Sequence, residues 1–191
     1  MSSTSTYAAD KDTYFREEQA TTNNGTAVQL WAGEGSGGGK IRNTVLEFDV
    51  SNLVGRDVVS ATLSLTNKTT LGAGTKSLTV ARLDQSFTEA GATWNTYDGA
   101  TAWPGGGGAG GDADTGLTTT TVLVGSGSSD PEIDITNLVV DAITRRGGVL
   151  RIVIYVASGD GVQSVSKWGS SRHTTPGDRP SLAVVVADVI A

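Results

Sequence analysis

The stretch VSATLSL at residues 59–65 places apolar side chains at Val59, Ala61, Leu63 and Leu65 and hydroxyl side chains between them. Successive side chains of a strand point to opposite faces of a sheet, so this alternation predicts a strand with one face in the core. Residues 44–50, TVLEFDV, alternate in the same way. Because antiparallel sheets commonly bury only one face, the two stretches predict an antiparallel β fold.

Other parts of the chain extend this pattern. Further β-branched or apolar runs of strand length occur at residues 12–16, 27–32, 78–83, 119–124, 132–135, 149–156 and 182–186. Glycine clusters separate many of them and predict loops, because glycine weakens strands and helices. Residues 137–146 instead carry apolar side chains at helical spacing before Gly147, which predicts one short helix. The predicted fold class is therefore an all-β, antiparallel, jelly-roll-like β-sandwich with one short helix.

The length and composition of the chain exclude several classes of protein. The chain of 191 residues fits one domain, and we assign residues 1–9 to a polar N-terminal arm and residues 10–191 to a single β-sandwich domain. It has no cysteine, so disulfides and thiolate chemistry are excluded. A net charge of -6 argues against nucleic acid as a partner, and the apolar runs are too short to span a membrane.

A series of motifs resembles a known family. The motifs are DTYFR at residues 12–16, LEFDVSNL at 46–53, VVSATLSL at 58–65, FTEAGATWN at 87–95, IDIT at 133–136 and RPSL at 179–182. In this order they resemble the DNRLRE-domain family, which overlaps the alginate-type carbohydrate-binding modules. The resemblance covers about residues 10–187 and implies a sandwich fold with a sugar ligand. Phe87 and His173 depart from the family pattern, which usually has tryptophan and glutamate there.

Aromatic and basic residues are the candidates for a sugar site. The flat face of a sugar stacks on an exposed aromatic ring, which makes Trp31, Trp94, Trp103 and Trp168 candidates. We expect Trp103 to be exposed because a glycine-rich run follows it, whereas Trp94 is either a contact residue or an anchor of its loop. An acidic sugar would also need cations, and we expect them at Lys40, Arg42, Lys167 and Arg172.

Metal and catalytic sites have weaker signals. Asp10 and Asp12 are close enough in sequence to share a calcium ion, although a solvated acidic loop is the alternative. His173 is the only histidine, and no spacing pairs it with a nucleophile. Carboxylate pairs for a glycosidase, or a base for a lyase, stay open but unsupported. We therefore expect no enzymatic activity and no required cofactor.

Two functions remain as hypotheses. The start of the chain lacks the basic and apolar segments of a signal peptide, which fits a protein released by lysis, or a secreted protein whose signal was removed. The first hypothesis is a multi-copy structural protein on a virion surface, such as a phage capsid decoration or tail protein, with other virion chains as partners. Its N-terminal arm would add to the sheet of a neighbour. The alternative is a secreted module that binds an acidic polysaccharide such as alginate.

Overall fold

The computed structural model describes residues 2–37, 40–72, 74, 76–117, 120–124, 130–156 and 159–187, with the main chain alone at residues 120–124. The described residues form thirteen strands and one α-helix. The strands are Ser2–Ala8 (β1), Lys11–Arg16 (β2), Gln29–Glu34 (β3), Ile41–Asp49 (β4), Val58–Ser64 (β5), Asn67–Leu71 (β6), Lys76–Leu83 (β7), Ala113–Asp114 (β8), Thr120–Val124 (β9), Glu132–Asp134 (β10), Val149–Tyr155 (β11), Ser164–Gly169 (β12) and Ser181–Ala187 (β13). The helix α1 is Thr136–Arg145.

Two antiparallel sheets contain these strands. The smaller sheet has the order β1-β13-β5-β10. The larger sheet follows β6-β12-β3-β4-β11-β7-β8, with β2 on β4 and β9 on β7. The main core lies between the sheets, where Leu63 and Leu182 of the smaller sheet and Leu46, Phe48 and Ile152 of the larger sheet are all buried. The predicted antiparallel β-sandwich with one helix is confirmed.

A second, smaller core covers the other side of the larger sheet. Phe15, Val45 and Val153 are fully buried there, beneath the long loop between β7 and β8. Alternation along β4 explains both cores, because Val45 faces the second core while Leu46 and Phe48 face the main core. The segment that follows β7 is therefore part of the packed molecule.

The segment assigned to an N-terminal arm forms β1. It pairs with β13 along its whole length, from Ser2 opposite Ala187 to Ala8 opposite Ser181. Its seven residues are rich in serine and threonine and lack the apolar alternation on which we based the other strands. The conformation of this segment is therefore determined by its pairing with a strand that is distant in sequence, and the local sequence pattern does not predict that pairing.

The helix packs its apolar stripe into the main core through Leu138, Val139, Ala142 and Ile143. It begins one residue before the predicted segment, and Thr136 is its first residue. The side chain of Asp134 accepts hydrogen bonds from the Thr136 amide and hydroxyl, at 2.9 and 2.6 Å. Gly147 follows the helix with φ +61, as predicted for its end. No helix of the described residues is long and apolar enough to cross a membrane.

Candidate functional site

Trp31 lies in the middle of β3 and is half-buried. Its neighbours Leu30 and Ala32 are in the main core, so the alternation of the strand directs Trp31 to the other face. The indole stacks on the ring of Tyr14, with the ring centroids 5.4 Å apart and the planes 13° from parallel. The Thr44 hydroxyl donates to the Trp31 carbonyl at 2.9 Å. One face of the Trp31 ring is therefore packed against Tyr14.

Three cations surround the Trp31 ring. The Lys167 ammonium is 3.9 Å from the ring centroid, and the guanidinium carbons of Arg16 and Arg42 are 5.3 and 5.4 Å from it. Strand register produces this convergence, because Lys167 pairs directly with Trp31 and Arg16 pairs directly with Arg42. Cations at these distances are attracted to the electron-rich face of an indole. We call this group, with Tyr14 and Glu18, the Trp31 cluster.

Glu18 is the carboxylate of the cluster. One of its oxygens, Oε1, accepts hydrogen bonds from Nε and a terminal nitrogen of Arg16 at 3.0 and 2.7 Å, and from Arg42 at 2.6 Å. Lys167 forms no ion pair with any residue that the structure describes. Only two of the three cations, Arg16 and Arg42, thus share the carboxylate of Glu18, although the whole chain carries a net charge of -6.

Arg42 is nearly inaccessible to solvent, with 6% of its surface exposed. Two of its nitrogens, Nε and one terminal nitrogen, have no hydrogen-bond partner among the described residues. Buried donors without acceptors cost free energy, and a charged donor costs more than a neutral one. The guanidinium of Arg42 is therefore a buried cation whose hydrogen-bonding capacity is only partly used.

The excess of cations in the cluster shifts the pKa values of Lys167 and Glu18. Burial, and then the positive charges of Arg42 and Arg16, lower the pKa of Lys167. Partial burial acts to raise the pKa of Glu18, but hydrogen bonds from Arg16 and the charge of Arg42 outweigh it, and the net shift is downward. Lys167 is therefore held in an environment that opposes its charge, whereas Glu18 stays ionised.

Arg172 lies apart from these contacts. Its Nε donates to the carbonyl of Gly25 at 2.7 Å, and its terminal nitrogen pairs with Glu89. The same Glu89 accepts a hydrogen bond from the Asp12 amide at 3.2 Å. The structure therefore places Lys167 and Arg42, two of the four cations expected in a sugar site, beside Trp31, while Arg172 joins three loops at a different place.

Trp103 is buried, with 3% of its surface exposed, and the expectation that it is exposed is wrong. Its indole nitrogen donates to the carbonyl of Thr93 at 2.9 Å. Its ring makes edge contacts with Phe15 and Tyr97, at centroid distances of 5.5 and 5.9 Å. The glycine run after it does not leave the ring uncovered, because small residues let the chain fold closely over the second core.

Trp94 is half-buried beneath the same glycine run. A Cβ atom at Gly107 or Gly108 would overlap the Trp94 indole, so only glycine allows the backbone to approach the ring this closely. The Gly108 amide donates to the Trp94 carbonyl at 2.7 Å. Gly108 also has φ +75, a conformation that favours glycine. These contacts match the loop-anchor alternative for Trp94.

Asp10 and Asp12 each bind protein groups. Oδ2 of Asp10 accepts from the amide of Asp49 at 2.6 Å. Asp12 is 2% exposed, and its two oxygens accept from the amide and hydroxyl of Ser171 at 2.5 and 3.1 Å. Within the described ranges, no group of three or more histidine, aspartate or glutamate residues is placed to hold a metal ion. The carboxylates therefore attach strands and loops to one another.

The pKa of Asp12 is raised to about 6. Burial is the largest cause, and the negative charge of Glu89 adds to it, while the Ser171 hydrogen bonds and Arg172 oppose the shift. Asp12 thus lies in a junction that favours its protonated form at mildly acidic pH.

Sequence reasoning named Trp31 and two of its cations but missed Tyr14, Arg16 and Glu18. A signal exists in DTYFR, where Tyr14 and Arg16 have the same parity and so share a face of β2. Their use depends on the pairing of β2 with β4, which aligns Tyr14 with Thr44 and Arg16 with Arg42. Glu18 carries no comparable signal, because a short 3-10 turn positions it.

Comparison with known families gives one match. The model of carbohydrate-binding module family 96 matches residues 3–102, which is just over half of the chain. The matched segment contains Arg16, Glu18, Trp31 and Arg42 of the cluster, whereas Lys167 lies beyond it. No curated protein matches the chain.

Proposed function

The chain belongs to carbohydrate-binding module family 96, and we propose from this premise that it is a non-catalytic module that binds a polysaccharide at the Trp31 cluster. The observation that carries the proposal is the half-buried Trp31 ring with three cations within 5.4 Å of its centroid. An aromatic ring recognises the apolar face of a sugar, and cations around it add charge recognition.

We further propose that the polysaccharide is acidic, such as a uronic acid polymer of the alginate type. Buried nitrogens of Arg42 lack acceptors, and Lys167 lacks an ion pair with any described residue. A ligand carboxylate at the Trp31 ring would pair with the Lys167 ammonium and would offset the positive charge of Arg42, because guanidinium and ammonium groups interact most strongly with anions. A neutral sugar would leave these charges uncompensated and partly desolvated.

The position of Lys167 suggests how a ligand enters. Its ammonium covers the Trp31 ring at 3.9 Å from the centroid. A sugar carboxylate would attract the ammonium away from the ring, because an ion pair in a partly buried site is stronger than a cation–π contact. The freed indole face would then contact the sugar ring. Binding would thus exchange one partner of Lys167 for another.

Calorimetric titration tests this function with a uronic acid tetrasaccharide and, in parallel, a neutral glucose tetrasaccharide. We expect the wild-type protein to bind the acidic sugar more tightly, and Trp31→Ala to weaken that binding by at least about tenfold, as for a central contact residue. Circular dichroism checks that the variant is folded. Equal binding of the two sugars would contradict the proposed preference for an acidic sugar. Full affinity in Trp31→Ala would contradict the proposal that the ligand binds at the Trp31 cluster.

Two lysines provide a matched control. Lys167→Gln removes the ammonium over Trp31, while Lys68→Gln removes a lysine of the neighbouring strand β6 that pairs with Asp178. We expect only Lys167→Gln to weaken binding of the acidic sugar and to reduce its salt dependence. Incubation with the polymer should release no new reducing ends, and their appearance would contradict a non-catalytic role.

The open edge of β1 supports a second function, that of a multi-copy surface component such as a virion decoration protein. β1 pairs with β13 on one edge, and no other described strand pairs with it. Residues 2–8 carry no charge, and an uncharged edge can accept another strand. Light scattering of the wild-type protein and a Thr4→Lys, Thr6→Lys double variant tests it: loss of an oligomer supports the role, and a wild-type monomer at all concentrations contradicts it.

A further inference from the structure

Glu18 holds the two arginines of the Trp31 cluster through a single carboxylate oxygen. Its Oε1 accepts from two nitrogens of Arg16 and one nitrogen of Arg42. These are the hydrogen bonds with which guanidinium groups recognise a carboxylate of any origin. The side chains of Glu18 and Arg16 are both 21% exposed, so a ligand can reach this ion pair from solvent, whereas the side chain of Arg42 is only 8% exposed.

The turn that carries Glu18 is held by other contacts. The carboxylate of Glu17 accepts the amide of Ile41 at 3.1 Å and ties the turn to β4. Gln19 accepts a hydrogen bond from Arg16 at 3.0 Å through its side-chain oxygen. The turn therefore has attachments on both sides of Glu18. The ion pairs of Glu18 are not required to hold the backbone in place.

We propose that Glu18 is an internal competitor for the anionic group of the ligand and thereby sets the affinity of the site. This inference rests on the proposed function, because it assumes that the ligand is an acidic sugar. The ligand carboxylate must either displace Glu18 from Arg16 and Arg42 or bind beside it against its negative charge. Both routes reduce the free energy gained on binding.

The competition has a consequence for selectivity. A neutral sugar cannot replace the ion pairs of Glu18, so the arginines remain bound to Glu18 and contribute little to its affinity. Only a ligand with its own carboxylate or sulfate exchanges with Glu18 at moderate cost, because the arginines keep an anionic partner throughout. Glu18 thus lowers the affinity for acidic ligands while it limits the unproductive capture of other molecules.

The test compares Glu18→Gln with Glu17→Gln, which makes the same change of charge one residue away, at a side chain that accepts a main-chain amide. Both variants are titrated with the uronic acid tetrasaccharide at low and high salt. We expect Glu18→Gln to bind roughly fivefold more tightly than the wild-type protein at low salt, in line with the strength of a surface ion pair. The gain should shrink at high salt, and Glu17→Gln should bind like the wild type.

Equal or weaker binding by Glu18→Gln would overturn the inference and would show that Glu18 orients the arginines. If the wild-type protein and both variants fail to bind the tetrasaccharide, the proposed function fails. A titration with inorganic sulfate, followed by the melting temperature, then decides the inference separately. A larger sulfate-induced increase in Glu18→Gln than in Glu17→Gln supports competition, and an equal increase in the two variants refutes it.

Discussion

The Trp31 cluster and the loop that carries Trp94 and Trp103 use the same residue type in opposite ways. Trp31 stands on Tyr14 with cations around it, in a site whose charges are not balanced. Trp103 is buried among apolar rings, and Trp94 is covered by its own glycine-rich backbone. A tryptophan in complete apolar surroundings contributes to stability, whereas one in polar, incompletely satisfied surroundings is suited to the binding role that we propose for Trp31.

The largest expected effect is a loss of stability when Trp103 is replaced, because its loop is fully packed whereas the Trp31 cluster is not. Trp103→Ala removes a fully packed indole and leaves the Thr93 carbonyl without its donor. We expect the free energy of unfolding to fall by about 3–5 kcal/mol, as for other buried tryptophans. Chemical denaturation measures it. A loss below about 1 kcal/mol would mean that Trp103 is not a core residue and would contradict the difference between the two regions.

The next largest expected effect is a change in stability with pH that arises from Asp12. Its pKa is about 6 in the folded protein, above the ordinary aspartate value of 3.8, so the folded state binds the proton of Asp12 more tightly than the unfolded state does. The contribution of Asp12 to stability is therefore greatest below pH 3.8 and falls, by up to about 3 kcal/mol, as pH rises through 6. Denaturation of the wild type and of Asp12→Asn from pH 4 to 7 checks this. Parallel curves would show that Asp12 titrates normally.

Alanine substitutions at two glycines of one loop should have smaller effects on stability, and the two variants can be compared with each other. Gly108 and Gly106 both have positive φ, but a Cβ at Gly108 would meet the Trp94 ring, whereas a Cβ at Gly106 would meet nothing within 4 Å. Gly106→Ala should cost about 1–2 kcal/mol of stability from the backbone alone, because its φ of 98 and ψ of -176 lie in a region that is essentially restricted to glycine. Gly108→Ala should cost about 1–2 kcal/mol more, because the loop must leave the ring. Equal costs would mean that the loop does not press on Trp94.

The smallest effect concerns the unbalanced charge of the Trp31 cluster. Lys167→Met keeps an apolar stem of similar length over Trp31 but removes a charge that burial and two arginines oppose. We expect a gain in stability of about 0.5 kcal/mol at low salt that disappears at high salt, together with weaker binding of the acidic sugar. A loss of stability at low salt would show that the contact of the ammonium with the ring outweighs the repulsion.

The sequence allowed the fold to be predicted where strands alternate. Residues 59–65 and 44–50 became β5 and β4, and the helical spacing before Gly147 became α1. The strands without such a pattern, among them β1, β6 and β12, were missed. Threonine, serine and lysine dominate these strands, and long-range pairing rather than local alternation makes them strands.

The site was predictable only in part, and for a related reason. Trp31, Arg42 and Lys167 could be named as residue types suited to an acidic sugar. Their meeting depends on the pairing of β12 with β3 and of β2 with β4. Trp103 was misjudged because glycine in a sequence indicates freedom of the chain, whereas here that freedom is used to pack the backbone against an aromatic ring.

The pairing of β1 with β13 links residues that are almost the whole chain apart, so the smaller sheet can form only late during synthesis. β13 is also the neighbour of β5, so the smaller sheet has no centre until residues 181–187 have left the ribosome. Contacts between segments so distant in sequence form slowly, because closing long loops precedes the gain from pairing. Until then the growing chain exposes the apolar face of β5, and a nascent chain stalled before residue 181 should bind chaperones rather than sugar.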